Sequence, residues 1–536
     1  MSHRSTAPSH LDDGPQYLPH NEILPIMFAI MAGTFLAALD QSIVGVALPR
    51  ITSELGGLEH LSWVVTAYLL TSTAATPLWG KISDLYGRKL IYQSAIIIFL
   101  LGSVLAGLAQ DMPQLIAFRA LQGIGGGGLM SIGLAIIGDI IPPRERGRYQ
   151  GFFGAVFGVS AVAGPLIGGW LTDAISWRWI FYINVPVAAV AIFRIATRLN
   201  LHTPRRQHSV DYLGAALVVS SVSSLLLYLN YAGENWGWTD SRSLGLLTAS
   251  IVLAVAFTLV EMRAAEPIIP MHLLRNDIFT ISNAFGFISG LAMFGGIIFL
   301  PLYFQGTLGM SPTRSGLAML PMVVGIFSFS ITTGLLITKT GKYKIFPIAG
   351  SVLITIGLFL LSRLQVDSPY WYIAIAAFVF GAGLGLTMQP MMVAVQNAVG
   401  FRDMGAATSS ITFTRSLGSA IGTAIFGAIL NIRLADHLAD GFGGNAPQIA
   451  ASTEATNNIQ AMQQLEEPVK GIVLGAYTDA ITDLFIVAIP FVLIGLVIAF
   501  FLREIPLKTG GPPTPVREGA SENAVSSDPL PAVPAH

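Results

Sequence analysis

No cysteine occurs in the chain, which rules out disulfides, thiolate metal centres and a cysteine nucleophile together. Charge is almost as scarce. Only 11% of the 536 residues are Asp, Glu, Lys or Arg, against about a quarter in soluble domains, so a string of water-soluble domains is excluded. A formal net charge of -1 leaves no basic excess for a polyanion, and no nucleic-acid partner is indicated. Enzyme signatures are missing as well: the chain has neither a hydrolase elbow nor His-Glu-x-x-His. Gly80-Lys81 and Gly341-Lys342 lack the upstream glycine and following Ser or Thr of a phosphate loop, so no ATP site is supported. Gly123 to Gly128 matches Gly-x-Gly-x-x-Gly only formally, because it lies inside an apolar run rather than after a strand. It reads as a glycine contact face. No cofactor or metal is implied.

What the chain does have is apolar length, with 53% hydrophobic residues. Fourteen runs long enough to cross a hydrocarbon core of about 30 Å as helices centre on residues 23–48, 61–79, 90–109, 114–137, 151–171, 179–195, 212–231, 244–260, 279–303, 318–337, 346–364, 371–395, 406–430 and 481–502. Lipid offers no partner to open backbone, so each run is expected to be a helix. The expected fold is an all-α polytopic membrane protein. Residues 1–21 and 504–536 read as disordered polar tails. A glycine- and lysine-bearing segment after the second run, Gly80 to Lys89, has a degenerate copy after the tenth, Gly334 to Lys344. Pairing the two copies makes 22–198 and 277–503 two six-helix bundles and leaves 199–276 as a linker with two extra helices. The longest external loop falls at 431–479 and is expected to hold short helices.

Orientation follows from the bias of Lys and Arg toward cytoplasmic loops. With the N-terminus inside, twenty of the 29 basic residues lie in inside segments, seven lie outside, and Arg119 and Arg415 fall within helices. A multi-pass protein of the cell (inner) membrane with both termini cytoplasmic is the expectation.

Three constellations could carry chemistry. Asp40 stands in the first run, and a bare carboxylate there costs roughly 2.5 to 3.5 kcal/mol or more, so it must be protonated, paired or wet. Arg119 in the fourth run is the matching buried cation, and it cannot itself release a proton. The fifth run carries Gly158, Gly164, Pro165, Gly168 and Gly169, a close-packing face with a proline kink. At the inside end, Asp84, Arg88, Asp139 and Arg148, flanked by Gly80 and Gly87, are expected to form a charge cluster that locks helix ends in one conformation. Phe285, Phe287, Phe294, Met388, Gln389 and Arg415 are candidates for a large apolar cavity. Few acids lie deep in the chain besides Asp40, which favours neutral or monocationic substrates over dications.

Taken together, Gly-Lys-Ile-Ser-Asp-Leu-Tyr-Gly-Arg-Lys, Leu-Asp-Gln-Ser-Ile-Val-Gly-Val-Ala-Leu-Pro, Arg-Ala-Leu-Gln-Gly and Gly-Pro-Leu-Ile-Gly-Gly resemble the motifs of the major facilitator superfamily. The likeness is to its fourteen-span drug:proton antiporter branch, the multidrug exporters of the EmrB/QacA type. That resemblance implies alternating access of two bundles, with export of hydrophobic or cationic small molecules driven by protons and not by ATP. It implies a proton-linked role for Asp40, a tuning role for Arg119, an antiporter motif at Gly164, Pro165, Gly168 and Gly169, and an inner gate at Asp84 and Arg88. The second copy of the loop lacks an Asp, so the gate is expected to be asymmetric. A specific exporter or importer of one metabolite or siderophore remains open on these grounds, as does a non-transporting sensor or scaffold. Whether a periplasmic adaptor takes part is left open by the sequence.

Overall fold

In the computed structural model, residues 17–18, 20–56, 61–199, 211–232, 236–264, 266–443 and 462–507 are described. The middle of the 431–479 segment and most of both expected tails lie outside them, while α1 already begins at His20, inside the expected first tail, and residues 504–507 of the second are described. The described residues contain helices and no strand. The first half consists of α1 (His20–Leu55), α2 (Leu61–Tyr86), α3 (Arg88–Gly107), α4 (Met112–Ile140), α5 (Pro143–Ala174), a short α6 (Trp179–Tyr182) and α7 (Asn184–Arg198). Two helices follow, α8 (Tyr212–Tyr231) and α9 (Ser241–Glu261). The second half holds α10 (Asp277–Gly306), a short α11 (Pro312–Ala318), α12 (Leu320–Thr340), α13 (Ile345–Leu361), α14 (Tyr370–Ala398), α15 (Met404–Gly441) and α16 (Val469–Phe501).

Every expected apolar run is found on these helices. Among the described residues, twelve spans are long and apolar enough to cross a membrane. The other two runs fall on α2, whose middle is rich in Thr and Ser, and on α13, which is 17 residues long. Two expected boundaries change. The segment Gly80 to Lys89 is not a loop, because α2 continues to Tyr86 and α3 begins at Arg88, leaving Gly87 as the whole joint. Its φ of 94° lies in the region L side chains avoid, so glycine is what lets the chain reverse there. The expected 431–479 loop is likewise shortened at both ends, by α15 running to Gly441 and α16 beginning at Val469. His437 and Arg433 on the extension of α15 both meet Asp483 of α16, at 3.1 and 3.6 Å, which ties the lengthened helices together.

Within the first half, α1 packs on α5 and α7, while α4 packs on α2 and α3; in the second, α10 packs on α15 and α16, while α14 packs on α12 and α13. The halves meet along two crossings, α5 with α12 and α2 with α15. Helices α8 and α9 pack on each other, and α8 leans on α2. The ends bearing Gly80, Pro143, Thr340 and Met404 share one side of the molecule, called here the basic end.

Candidate functional site

At the basic end the two halves are locked by backbone contact that only small residues permit. A Cβ on Gly80 would stand 2.1 Å from Ser409 Oγ and 2.7 Å from the Gly405 carbonyl, and one on Gly334 would stand 2.1 Å from the Gly147 carbonyl. Gly80 and Gly334, the repeat-related positions, thus do the same task at the two crossings.

Asp84 sits on the first of these crossings. Its carboxylate accepts from the N–H groups of Gly405 at 3.0 Å and Ala406 at 2.8 Å. These are exposed donors of the first turn of α15, where a negative charge is favoured by the helix dipole. A side chain of the first half therefore caps a helix of the second. Arg88 holds Asp84 at 2.5 Å and Asp139 at 2.6 Å, and donates to Ser83 Oγ at 2.5 Å. One oxygen of Asp139 is buried with no hydrogen-bond partner.

Arg148 is not part of this cluster: it is exposed, and Arg146 takes the buried place. Arg146 donates to the carbonyls of Ile141 at 2.8 Å, Gly138 at 2.5 Å and Gln396 at 2.9 Å. The reason is helical phase. Arg146 and Gln150 are four apart and share a face, and Gln150 bonds Gln396 of α14 at 2.8 Å, whereas position 148 points about 160° away from 150-facing neighbours at 100° per residue. Gln150 and Gln396 were missed in the sequence; a polar residue four after a buried arginine was the available signal.

The second copy of the loop makes different contacts. Gly341 closes α12 with φ of 71°. Glu504, beyond α16, accepts from Tyr343 N–H at 2.9 Å and Lys344 N–H at 3.4 Å. Across the crossing, Arg144 of α5 donates to the last carbonyls of α12, those of Thr338 and Lys339. A carboxylate on helix N–H groups at one crossing is thus matched by a guanidinium on helix carbonyls at the other.

Asp40 and Arg119 come together as an ion pair between α1 and α4, at 2.5 Å, with side chains 0% and 1% exposed. Gln122 donates to the other Asp40 oxygen at 2.8 Å and accepts from Arg119 at 2.6 Å. Arg119 also donates to the Val64 carbonyl at 3.2 Å and lies 4.4 Å from the Tyr68 ring centre. Both oxygens of Asp40, and Nε and Nη1 of Arg119, have partners, the kind of satisfaction under which a buried pair is tolerated. Gln122 is three residues after Arg119, one helical turn along, and was not singled out from sequence.

The glycine motif of α5 lies directly against the turn of α1 that follows Asp40. A Cβ on Gly164 would meet Ser42 Oγ at 2.1 Å, and one on Gly168 would meet Ile43 at 2.7 Å. Pro165 removes an N–H from α5, and Ser42 donates to the nearby Ser160 carbonyl at 2.8 Å. Toward the second half, Gly158 faces Val323 of α12, and Pro165 faces Gly316 of α11. Gly169 is half-buried beside them.

Between the halves lie two small adjoining lobes of space that share Met388, Met392 and Arg415. Of the expected cavity residues, Phe285, Met388, Gln389 and Arg415 line it. Phe287 does not; it packs into the apolar core of the second half. The side chain of Phe294 lies outside the described residues. Phe153 and Phe157 of α5, together with Met130 of α4, line the space from the first half and were missed. Their i, i+4 spacing on a glycine-rich helix was the legible signal.

Two helical bundles around a buried apolar space, joined at one end by glycine crossings, define a polytopic membrane transporter of the two-bundle kind. The sequence matches the family model described as Major Facilitator Superfamily over residues 30–423, and the chain belongs to that superfamily; it is a transporter and not an enzyme. It is 38% identical over 507 residues to an uncharacterized MFS-type transporter of Mycobacterium tuberculosis (strain ATCC 25618 / H37Rv), covering 94% of this chain and 73% of the relative. It is 36% identical over 506 residues to multidrug transporter protein MdtP of Bacillus subtilis (strain 168), covering 90% and 93% of the two chains. Among solved structures, the human organic anion transporter MFSD10 superposes with a TM-score of 0.59 at 13% identity, over 89% of this chain and 100% of that one. At that identity the likeness shows the fold alone.

Proposed function

We propose that the chain is a proton-coupled antiporter of the fourteen-span drug:proton branch, exporting hydrophobic small molecules by alternating access. It lies in the inner membrane with its termini and basic end in the cytoplasm, following the bias of Lys and Arg. Fourteen apolar runs that each fall on a helix support the span count, and relatives named multidrug transporters at 33–36% identity support the activity.

The observation that carries this reading is the buried Asp40–Arg119–Gln122 cluster. Asp40 is its one proton acceptor, since Arg119 stays charged. Protonation of Asp40 removes one charge of the pair and frees α1 to shift against α4. The next turn of α1 rests on Gly164 and Gly168 of α5, and α5 forms one of the two crossings between halves. A proton at Asp40 thereby biases the crossing, and the cavity changes the side to which it opens. In the arrangement described, the basic end is closed by Asp84 on α15 and by the Arg146–Gln396 contact.

The test is dye export measured in everted vesicles with and without a protonophore, for the wild-type chain and for Asp40→Asn. Loss of export in both the uncoupled wild type and the variant is expected. Normal gradient-driven export by Asp40→Asn would refute the coupling role.

A further inference from the structure

Arg415 is the charged residue of the central space, lining both lobes. It stands on α15 and, among the described residues, no carboxylate or carbonyl accepts from its guanidinium. The deep carboxylates are engaged elsewhere: Asp40 is held by Arg119 and Gln122, and Asp84 and Asp139 by Arg88. Its backbone is fixed, because a Cβ on Gly290 of α10 would stand 2.2 Å from the Arg415 carbonyl, and Ser419 donates to that same carbonyl at 2.9 Å. The guanidinium is therefore carried on a rigid base at the point where the two lobes join.

A cation in an apolar interior is costly unless something of opposite charge or good acceptor strength meets it. Among the described residues nothing does so here. The polar neighbours around the space, Ser289, Thr387 and Gln389 among them, are neutral. The walls are phenyl rings and thioethers: Phe153 and Phe157 from the first half, Phe285 and Met388 from the second. Such walls suit a flat hydrophobic body, and methionine adapts to differing shapes.

We infer that the central space is a site for hydrophobic organic anions, with the carboxylate or other acidic group of the transported molecule bound by Arg415 and its aromatic body held by the phenylalanine and methionine walls. This names the substrate class of the export reading above and rests on that reading for its transport consequence. It replaces the expectation of neutral or monocationic substrates, which rested on the scarcity of deep acids and gave no weight to an unpaired deep base. A fork of N–H donors matches a carboxylate at two points, so a planar aryl acid is the favoured form over a compact inorganic anion, which would leave the rings uncovered.

The experiment uses three probes of one shape: 2-naphthoate, 2-naphthamide and protonated 2-naphthylmethylamine. Equilibrium binding to the purified full-length chain is measured at neutral pH for wild type, Arg415→Gln and Arg415→Lys. Wild type is expected to bind naphthoate tightest and the amine weakest. Arg415→Gln is expected to weaken naphthoate by about tenfold or more, the worth of one charge-assisted pair, while moving naphthamide less than about twofold; Arg415→Lys keeps part of the preference. An amine bound as tightly as naphthoate by wild type overturns the inference, whether or not either variant folds. So does a parallel loss for all three probes in Arg415→Gln. Gradient-driven uptake of the same probes into everted vesicles separates the two readings: charge-selective binding without any transport sinks the exporter and leaves the anion site standing, whereas transport of naphthamide with charge-blind binding does the reverse.

Discussion

Asp40 and Arg119 were readable as single residues because each is an ionisable group inside an apolar run, where lipid makes an unpaired charge expensive. That they are partners was not readable, since 79 residues separate them and only the packing of α1 on α4 brings them to 2.5 Å. The pair can be structural as well as functional, and one cycle of variants separates the roles. Asp40→Asn leaves Arg119 buried without a counter-charge and is expected to cost about 3–5 kcal/mol, read as a lower midpoint of thermal aggregation in detergent. Asp40→Asn with Arg119→Gln is expected to recover much of that stability and still to show no proton-coupled export. Recovery of export in the double variant would contradict the assignment. A similar contrast holds at the start of α5. Arg146→Gln removes donors from three backbone carbonyls in a site 2% exposed, about 1–3 kcal/mol for each acceptor left dry, whereas Arg148→Gln at the exposed position is expected to leave the thermal midpoint unchanged. Equal shifts for the two would invalidate the phase argument. Spacing along the basic run could not choose between them until the first residue of α5 was known.

Among the elements, α2 and α15 form the most instructive pair. Asp84 is the last acidic residue of α2 and caps the first turn of α15 from the other half. Asp84→Asn retains one acceptor but removes the charge that the N-terminus of α15 favours, an effect of roughly 0.3–2 kcal/mol. Closure at the basic end is then weaker, so turnover in vesicles is expected to fall severalfold while equilibrium binding of a dye to purified protein stays within about twofold, since the binding space lies elsewhere. A variant that binds poorly and turns over normally would reverse the assignment. The loop was legible as a basic segment with glycines. That it is helix on both sides of Gly87 was not, because the polar composition of residues 80–86 hides a helix continued by tertiary contact. The extension of α15 past residue 430 was hidden in the same way, by contacts of Arg433 and His437 with Asp483.

At the level of the whole molecule, the weak repeat between Gly80 and Gly334 becomes a pair of crossings related by the exchange of halves. Glycine at each lets backbone touch backbone, a packing mode that membrane helices rely on because lipid supplies little hydrophobic drive between them. Closure at the basic end needs both crossings to seat. Gly334→Leu is expected to hold α12 away from α5 at Gly147, and because the chain has no cysteine, the effect can be read at a single introduced thiol. Ala407, 0% exposed on α15, serves for this. Maleimide labelling of Ala407→Cys in membranes is expected to rise severalfold when Gly334→Leu is added, and unchanged labelling would show that the two crossings move independently.

The sequence alone determined that the chain lives in lipid as a series of apolar helices and which residues are too polar for their surroundings, because the bilayer imposes length and charge rules that act locally on each run. The tertiary structure decided what those residues meet. It paired Asp40 with Arg119 and Gln122, exchanged Arg148 for Arg146 at the gate, and brought phenylalanines of α5 to the cavity in place of Phe287. It also left Arg415 lining the space between the halves with, among the described residues, no acid paired to it. Partnership is a property of helix packing and phase across hundreds of residues of separation, and neither is written in any one segment.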